Sequence, residues 1–560
     1  MADRIKVFAL AGLAEDGREC YVIEINNDIF VLEAGSSLPD KTIPGVDFLL
    51  PNLDYLIKNK ERVRAYIITH GHDEAFGALA FFYKYAPAPV YCTKSTMTIM
   101  EGQFSISEAK VQINYRLVNP SDDVLIANRR VRFFQTCHNA VNSFGVAIST
   151  SQGNIIFTSD FIINFATNET SYRFDLAMAS DLAKEETLLL MAESKAADKN
   201  GYCSPKHRIS DLVEKYYKMN KRMFVAAYWQ NMYRIREILR LARKYNKQVY
   251  CYDQYTATVL KYVLNAAGAT STINDFVSKE NLLRVKSSDL LVLMVGHSDD
   301  IFKEIAALSA GLNADKRLKL GTDDIFMNVA VPRPIYETIA TRSMDDVYRT
   351  GCQVVWLKGK DVHAMHAQED DLRFVLNLFK PKYYFPVRGH YTKIMENAKL
   401  AVSLGIGLNH MNVFVMDNGM QLIFEEGRRP VVLPAEVTGI DTAPVLVDGK
   451  GLTKGGDELI AMRQKLGVDG AVIIAATVSQ SEKKIVAGPD CQMRGFVYVK
   501  EAEPLLKSVT QIFVEEITAA LVNGTDIEEA KNTIKDRARW FIRRENGREP
   551  LIEPIVIVEE

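Results

Sequence analysis

The stretch from Thr69 to Ala78, which reads THGHDEAFGA, constrains the fold of this chain more than any other. It follows the apolar run 64–69, which has the length and composition of a buried strand. A strand that ends in His-x-His directs two imidazoles to one side of its C-terminal edge, where His70 and His72 can begin a metal site. A polar loop that happens to carry two histidines would leave the same pattern, so further ligands must come from elsewhere in the chain.

Potential ligands also follow two later strand candidates. The run 131–136 leads to His138, and the run 154–158 leads to Asp160. Strands that each end in a potential ligand are a common way for a β-sandwich to build a site along one edge. A single buried His or Asp is usually a satisfied core group, but candidates at successive strand ends favour a metal centre.

Length, charge and cysteine usage exclude several classes of protein. The chain has 560 residues, too many for one core, and its 68 Lys and Arg against 70 Asp and Glu give a net charge of -2. Any RNA site must therefore be a local basic groove. The seven Cys form no Cys-x-x-Cys pair, which predicts a reducing cytoplasm. We expect no signal peptide, and no apolar run is long enough to span a membrane.

The stretch THGHDEAFGA resembles the second motif of the metallo-β-lactamase superfamily, His-x-His-x-Asp-His, in the form common in the ribonuclease J family. His70 and His72 match the first two ligands, whereas Glu74 replaces the Asp and Ala75 replaces the last His. The first motif, Asp-Ala-Gly, is similar to residues 33–35 with Glu33 in place of the Asp. The motifs are therefore recognisable but altered.

Later segments extend the resemblance along nearly the whole chain. His138 and Asp160 match ligands of the family, whereas Arg388 stands where the family has a His. Residues 363–366 read His-Ala-Met-His, one residue shorter than the family's His-Val-Ser-Gly-His. His390 lies in a glycine-containing turn, and we do not expect it to replace the lost ligand.

The resemblance implies an α/β fold. We expect a metallo-β-lactamase αββα sandwich at 1–200 and 356–435, with an inserted β-CASP α/β domain at 201–355. A linker at 436–447 would lead to a small C-terminal α+β domain at 448–560 that serves oligomerisation. Between 200 and 355, helical segments and apolar strands alternate, which independently predicts a parallel sheet.

The implied ligand set is complete for a first metal and incomplete for a second. One zinc or manganese would be held by His70, His72, His138 and Asp160. The second would need Ala75 and Arg388, and neither a methyl group nor a guanidinium can ligate a metal. We therefore expect at most one metal per chain, or none.

Two arrangements of Arg388 stay open at this point. Its guanidinium could fill the second-metal position with Glu74 and Asp160 as partners, or it could point to solvent or to an RNA phosphate. We expect no intact catalytic set; residual candidates are Glu33, Glu74 and His366. The altered loop and a segment similar to the family's Ser-Asn-x-x-Arg-Val supply the candidate substrate contacts, which are His363, Ala364, Met365, His366, Asn231 and Arg234.

Two functions follow from the resemblance. The altered motifs are most similar to those of the degenerate second member of the family in Gram-positive bacteria. This implies a cytoplasmic RNA-binding subunit for mRNA decay and rRNA maturation, with weak or absent nuclease activity, acting with an intact paralogue as a homodimer or heterotetramer. The alternative is an active 5′-3′ exoribonuclease or endoribonuclease that uses one metal. A hydrolase of small esters is disfavoured by the two added domains.

Overall fold

The computed structural model describes every residue except 1, 40–42, 107–110, 166, 168–169, 267–275, 314, 450, 454–456, 496–501 and 560. The chain divides into two compact units. The first comprises Met1–Leu38 and Phe48–Val445, and the second comprises Pro39–Asp47 and Leu446–Glu560. All candidate site residues belong to the first unit. No helix in the described part of the chain is long and apolar enough to cross a membrane.

The N-terminal third of the chain contains most strands of the first unit. The strands are β1 (Ile5–Ala11), β2 (Cys20–Ile25), β3 (Asp28–Leu32), β4 (Phe48–Leu50), β5 (Val63–Ile67), β6 (Val90–Cys92), β7 (Tyr115–Leu117), β8 (Asp123–Ile126), β9 (Arg129–Gln135), β10 (Phe144–Thr150), β11 (Gly153–Phe157) and β12 (Thr187–Glu193). The helices are α1 (Asp54–Lys58), α2 (Asp73–Phe76), α3 (Leu79–Tyr85), α4 (Lys94–Ile106) and α5 (Leu176–Leu182).

The next segment alternates helix and strand, as its sequence predicts. Its elements are α6 (Ser210–Tyr217), β13 (Arg222–Tyr228), α7 (Met232–Lys244), β14 (Gln248–Cys251), α8 (Gln254–Ala266), β15 (Leu290–Gly296), α9 (Asp300–Ser309), β16 (Asp324–Asn328), α10 (Glu337–Arg349) and β17 (Gln353–Trp356). The strands form a parallel sheet in the order β14-β15-β13-β16-β17. This is the α/β layer expected for the inserted domain.

The chain then returns to the sheets of the first segment. The returning elements are α11 (Glu369–Phe379), β18 (Tyr383–Val387), α12 (Tyr391–Ser403), β19 (Gln421–Phe424), β20 (Val431–Leu433) and α13 (Ala435–Thr438). One sheet has the order β20-β19-β1-β2-β3-β5-β6-β7 and the other has the order β18-β12-β11-β10-β9-β8. Their facing side chains share one core, which includes Phe30, Phe133, Phe144 and Phe385. Helices cover the outer faces, as where Tyr55 of α1 meets Phe8 and Phe82 of α3 meets Tyr66. This is the predicted αββα sandwich.

Sharp turns at the strand ends direct polar side chains to one edge of the sandwich. Glu33 follows β3, Ser159 follows β11 and Arg388 follows β18, each with a left-handed backbone, at φ 63°, 55° and 63°. Residues other than glycine rarely adopt this conformation outside turns and functional sites. The fold thus places side chains from distant parts of the sequence at a common edge.

The second unit is a small α+β structure. Its elements are β21 (Val445–Asp448), β22 (Gly451–Thr453), α14 (Asp457–Asp469), β23 (Ala471–Ser479), β24 (Lys484–Arg494), α15 (Ala502–Asn523), α16 (Ile527–Asn546) and β25 (Leu551–Glu559). The order β24-β23-β25 puts β25 at an edge of the described sheet. The apolar stripes of α15 and α16, which include Phe513 and Ile534, are buried against Ile474 and Val478 of β23. These stripes are therefore used within the unit itself.

Candidate metal centre and cleft

Four of the predicted ligands converge at the edge of the sandwich. His70, His72, His138 and Asp160 are buried, and one ligand atom of each lies within 4.8 Å of all the others. Asp160 Oδ2 lies 3.3 Å from His138 Nε2 and 3.7 Å from His70 Nε2. The three imidazole rings are mutually edge-on, with centroids 4.8 to 5.2 Å apart. The sequence separates these residues by up to 90 positions, and the strand ends bring them together.

Hydrogen bonds orient each imidazole with a lone pair toward the centre. His138 Nδ1 donates to the carbonyl of Met365 at 2.8 Å, which leaves Nε2 as the acceptor. His72 Nε2 donates to the carbonyl of Gln230 at 3.1 Å, which leaves Nδ1 facing inward. His70 Nδ1 contacts the Thr69 hydroxyl at 2.9 Å, and its Nε2 is buried without a hydrogen-bond partner among the described residues. Such outer contacts fix the ring orientation of metal-binding histidines.

This donor set fits one metal ion. Burial lowers the pKa of His70 and of His138 well below its usual value, and the neighbouring imidazoles lower it further. Both rings are therefore neutral and able to ligate. Three neutral imidazoles and one carboxylate match the preferences of a tetrahedral zinc site, and the buried, unpartnered Nε2 of His70 is explained by such an ion.

The position beside this set contains a guanidinium. Arg388 Nε lies 2.7 Å from Glu19 Oε1, Nη2 lies 3.2 Å from Glu74 Oε1, and Nη1 pairs with Asp160. Burial opposes the charge of Arg388, but Asp160, Glu19 and Glu74 together raise its pKa well above the usual value. Of the two arrangements that the sequence leaves open, the structure therefore has the buried ion pair.

A second metal does not fit at the position of Arg388. Ala75 is fully buried and offers only a methyl group, and Asp160 and Glu74 are already paired with Arg388. Lys195 adds another cation, with its Nζ 2.7 Å from Asp16 Oδ1 and 3.9 Å from Glu74 Oε1. Two positive side chains thus lie where a divalent ion would need carboxylates and imidazoles.

Sequence reasoning missed Asp16, Glu19 and Lys195. Glu19 immediately precedes β2, whose residues are all buried, and a carboxylate next to such a strand was a usable signal for a buried partner. Lys195 follows Glu193 and Ser194 at the end of β12, but nothing local shows that it reaches the segment around Asp16. These pairings depend on tertiary structure.

Glu33 lies behind the metal ligands. Its carboxylate accepts hydrogen bonds from the hydroxyl and the backbone N–H of Thr69, the latter at 3.2 Å, and Thr69 in turn contacts His70. Burial raises the pKa of Glu33 to about 8, although the Thr69 hydrogen bonds oppose this. Glu33 therefore orients His70 through Thr69 and does not face the cleft.

His366 stands at the rim of the centre, held by Glu193. Its Nδ1 lies 2.8 Å from Glu193 Oε2, while Glu193 Oε1 accepts the backbone N–H groups of Phe161 and Ala367, each at 3.0 Å. Burial lowers the pKa of His366 to about 3, and burial raises the pKa of Glu193 to about 7. The ring also lies 3.8 Å from Asp160 Oδ2.

The predicted substrate contacts divide into two groups. His363 is half-buried and Ala364 is exposed, so both are accessible to solvent. Met365, by contrast, is only 1% exposed, and its carbonyl is used by His138.

The two candidate contacts from the inserted domain, Asn231 and Arg234, form hydrogen bonds within that domain. Asn231 caps α7 by accepting from the Arg234 backbone N–H at 3.0 Å. The Arg234 side chain is buried and donates to the Val329 carbonyl at 2.8 Å. The Asn231 side-chain oxygen and the Arg234 guanidinium are therefore engaged within the inserted domain.

Other residues of the inserted domain contact the centre. The sequence analysis named none of them as candidate contacts, although Gln230 and Tyr233 lie beside Asn231 and Arg234. His297 Nε2 lies 2.6 Å from Asp73 Oδ2, which also accepts from Gln230 Nε2 at 3.2 Å. The Tyr233 backbone N–H donates to the Asn139 carbonyl at 3.0 Å. The carboxyl ends of β13 and β15 thus lie beside the metal ligands, and the region between them is the candidate cleft.

Comparison with known protein families gives two matches. Residues 14–207 match the metallo-beta-lactamase superfamily, and residues 458–558 match the Ribonuclease J C-terminal domain. A crystal structure of a protein of unknown function from Enterococcus faecalis V583 superimposes with a TM-score of 0.50 and 13% sequence identity, covering 75% of this chain and 100% of that chain. This last similarity concerns the fold alone.

Three relatives that match nearly the whole chain are each named ribonuclease J2. Ribonuclease J2 of Bacillus subtilis (strain 168) is 27% identical over 564 residues, which cover 99% of both chains. Ribonuclease J 2 of Streptococcus pyogenes serotype M3 is 28% identical over 558 residues and covers 99% of both chains. Ribonuclease J 2 of Staphylococcus aureus (strain MRSA252) is 26% identical over 562 residues, covering 99% of this chain and 98% of the relative.

Proposed function

The chain belongs to the ribonuclease J family, and from this premise we propose that it is an RNA-binding subunit with weak or absent nuclease activity of its own. It would take part in mRNA decay and rRNA maturation in the cytoplasm, together with an intact paralogue. Family membership supports a ribonuclease context. The altered centre supports the loss of activity.

One observation carries this proposal: the guanidinium of Arg388 is paired with Glu19, Glu74 and Asp160 beside the first ligand set. Two-metal phosphodiesterases use the second ion to share the charge of the attacking and leaving oxygens. A guanidinium about 4 Å from a divalent ion would cost about 8 kcal/mol at an effective dielectric constant of about 20. We therefore propose that a second metal does not bind.

The first ligand set supports a single ion, zinc or manganese, held by His70, His72, His138 and Asp160. Such an ion, when bound, would polarise a phosphoryl oxygen and lower the pKa of a bound water. The chain's own residues would position RNA at the rim, where His366 is held by Glu193, with the accessible residues His363 and Ala364 as further candidate contacts. We keep the domain boundaries of 1–200, 201–355, 356–435 and 448–560 as proposals.

A second candidate function is favoured by the intact first ligand set. Each of the three histidines has its second nitrogen hydrogen-bonded and its other nitrogen free for a metal, as in a working site. The chain would then be a 5′-3′ exoribonuclease or endoribonuclease that runs on one metal.

A nuclease assay on 5′-monophosphorylated RNA separates the two functions. Loss of one metal removes several kcal/mol of charge stabilisation, so we expect wild-type activity at least about a hundredfold below that of an intact family member. The double variant His70→Ala/His72→Ala should then have nearly the same nuclease activity as wild type. His390→Ala, at an exposed position outside the centre, serves as the matched control.

Elemental analysis of the same samples tests the metal content. We expect at most one zinc or manganese per wild-type chain and less in His70→Ala/His72→Ala. Two tightly bound ions per chain would refute the proposal. Wild-type activity equal to that of an intact member, abolished in the double variant but kept in His390→Ala, would establish the one-metal enzyme instead.

A further inference from the structure

The loop after β16 brings an additional cation, Arg333, near the candidate centre, where its charge acts on Glu74. β16 is parallel to β13 and β15, so its carboxyl end lies at the same edge of the sheet as the ends that carry Gln230 and His297. β13 and β16 are neighbours whose outgoing connections run in opposite directions, to β14 and to β17. Crevices at such a reversal of strand order are the usual ligand sites of parallel sheets. Arg333 belongs to the loop at this crevice.

The backbone of this loop presents Arg333 rigidly. The residue is flanked by Pro332 and Pro334 and has an extended conformation, with φ -68° and ψ 153°. A following proline disfavours the helical alternative, so this conformation is largely set in advance. Binding through a residue whose backbone is already ordered loses less entropy than binding through a mobile loop.

Arg333 is exposed and has no ion pair or side-chain hydrogen bond with any described residue. Desolvation by the surrounding protein lowers the pKa of the guanidinium, but the carboxylates of Glu74 and Asp16 raise it by more, so that it lies above the usual value. Those carboxylates already have cationic partners, because Asp16 pairs with Lys195 at 2.7 Å and Glu74 pairs with Arg388 at 3.2 Å. The charge of Arg333 is therefore available to an external anion.

Two aromatic residues lie in the electrostatic neighbourhood of Arg333. Burial raises the pKa of Tyr228, and the charge of Arg333 opposes this rise. The Tyr228 hydroxyl is buried without a hydrogen-bond partner in the described structure, and Tyr336 is half-buried at the end of the same loop. An unpaired guanidinium beside tyrosines is a combination suited to nucleic acid, since guanidinium binds phosphate and aromatic rings stack on bases.

We propose that Arg333 binds an internal phosphodiester of single-stranded RNA at the mouth of the cleft, and that this contact needs no metal ion. The inference rests on the proposed RNA-binding function and adds the residue and the chemical group that carry it. It places the contact on the inserted domain, opposite the altered second-metal position.

Fluorescence anisotropy with a short 3′-labelled single-stranded RNA tests this inference on the full-length protein. One lost phosphate contact should weaken binding by Arg333→Ala about fivefold at roughly 0.1 M salt, and should reduce the slope of log Kd against log salt by about 0.7. Arg333→Lys should retain part of the affinity because it keeps the charge but not the fork of donors.

Arg349→Ala is the matched control, since it removes the same charge from the exposed far end of α10, where Arg349 pairs with Asp346 at 2.6 Å. It should bind like wild type. The effect of Arg333→Ala should be equal for RNA with a 5′-monophosphate and with a 5′-hydroxyl, and equal with and without EDTA.

Each result that differs from these expectations has a definite interpretation. Unchanged binding by Arg333→Ala, or an equal loss in Arg349→Ala, overturns the inference while the proposed function stands. An effect seen only with the 5′-monophosphate assigns the contact to the RNA terminus, and one that disappears in EDTA makes it metal-dependent; both overturn it as stated. A wild-type protein that binds no RNA refutes the proposed function as well.

Discussion

At the scale of single residues, Arg388 decides the character of the centre. It is 3% exposed and is surrounded by the carboxylates of Glu19, Glu74 and Asp160. Buried charges are tolerated only when they are paired, and the guanidinium pairs with all three of these carboxylates. The cluster is thus a buried ion-pair network in its own right, and not a metal site from which one ligand happens to be missing.

Replacement of Arg388 should therefore be strongly destabilising. In Arg388→Met the three carboxylates lose their shared cation, and the free energy of unfolding should fall by about 3–5 kcal/mol, as for other broken buried ion pairs. Urea unfolding measures this, with Arg349→Ala as a surface control that should stay within about 0.5 kcal/mol of wild type. A loss for Arg388→Met as small as that of the control would show that Arg388 does not stabilise the cluster.

At the scale of elements, the ends of strands build both walls of the cleft. The wall of the sandwich follows β5, β9, β11 and β18, and the opposite wall follows β13, β15 and β16. The contact between the start of α2 and the end of β15 joins the walls through Asp73 and His297, at 2.6 Å. Its strength depends on the charge of an imidazole, so the two walls are linked in a pH-dependent way.

The His297 contact should make stability decline as pH rises. Burial and the nearby charge of Arg333 lower the pKa of His297, but the Asp73 carboxylate, with help from Asp300, raises it above 6.5. A raised folded-state pKa gives stability that is complete below the unfolded pKa, about 6.5, and is lost as pH increases through the folded value.

Unfolding free energies of wild type and His297→Gln, measured across this pH range, check the expectation. Relative to the variant, the free energy of unfolding of the wild type should fall by up to about 1 kcal/mol between roughly pH 6 and pH 8. The effect is small because the pair is partly exposed. Parallel pH profiles for the two proteins would show that the His297–Asp73 contact is not the source.

At the scale of the whole molecule, one face of the sheet in the second unit is uncovered in the part of the chain that the structure describes. α15 and α16 pack on one side of β23, while Ile473, Ile555 and Ile557 on the other side are 45%, 42% and 59% exposed. The register pairs Ala475 with Ile555 and Thr477 with Ile557, so these side chains share one face. Exposed apolar faces and edge strands of this kind favour association with another chain.

We predict that this face supports a homodimer, and a heteromer with the intact paralogue. The double variant Ile555→Asp/Ile557→Asp should shift the protein toward a monomer, because it would bury two unpaired charges in the contact. Size-exclusion chromatography with light scattering measures the mass, with Val522→Asp on α15, at 56% exposure, as control. A double variant that stays dimeric would place the interface elsewhere.

The sequence by itself determined the fold class, and it predicted the four candidate metal ligands and the loss of the second site at Ala75 and Arg388. These follow from local patterns, since a strand period or a motif is visible within a few residues. The parallel layer of the inserted domain was equally predictable, because its apolar strands and amphipathic helices alternate along the chain.

Only the tertiary structure decided which charges meet. Glu19 and Arg388 are 369 positions apart in sequence, yet their atoms approach to 2.7 Å. Asn231 and Arg234 could be selected from a motif, but their turn inward to the helix cap and to the Val329 carbonyl depends on packing within the inserted domain. The reason is physical: electrostatic partnership depends on distance in space and on burial, and neither quantity is encoded in local periodicity.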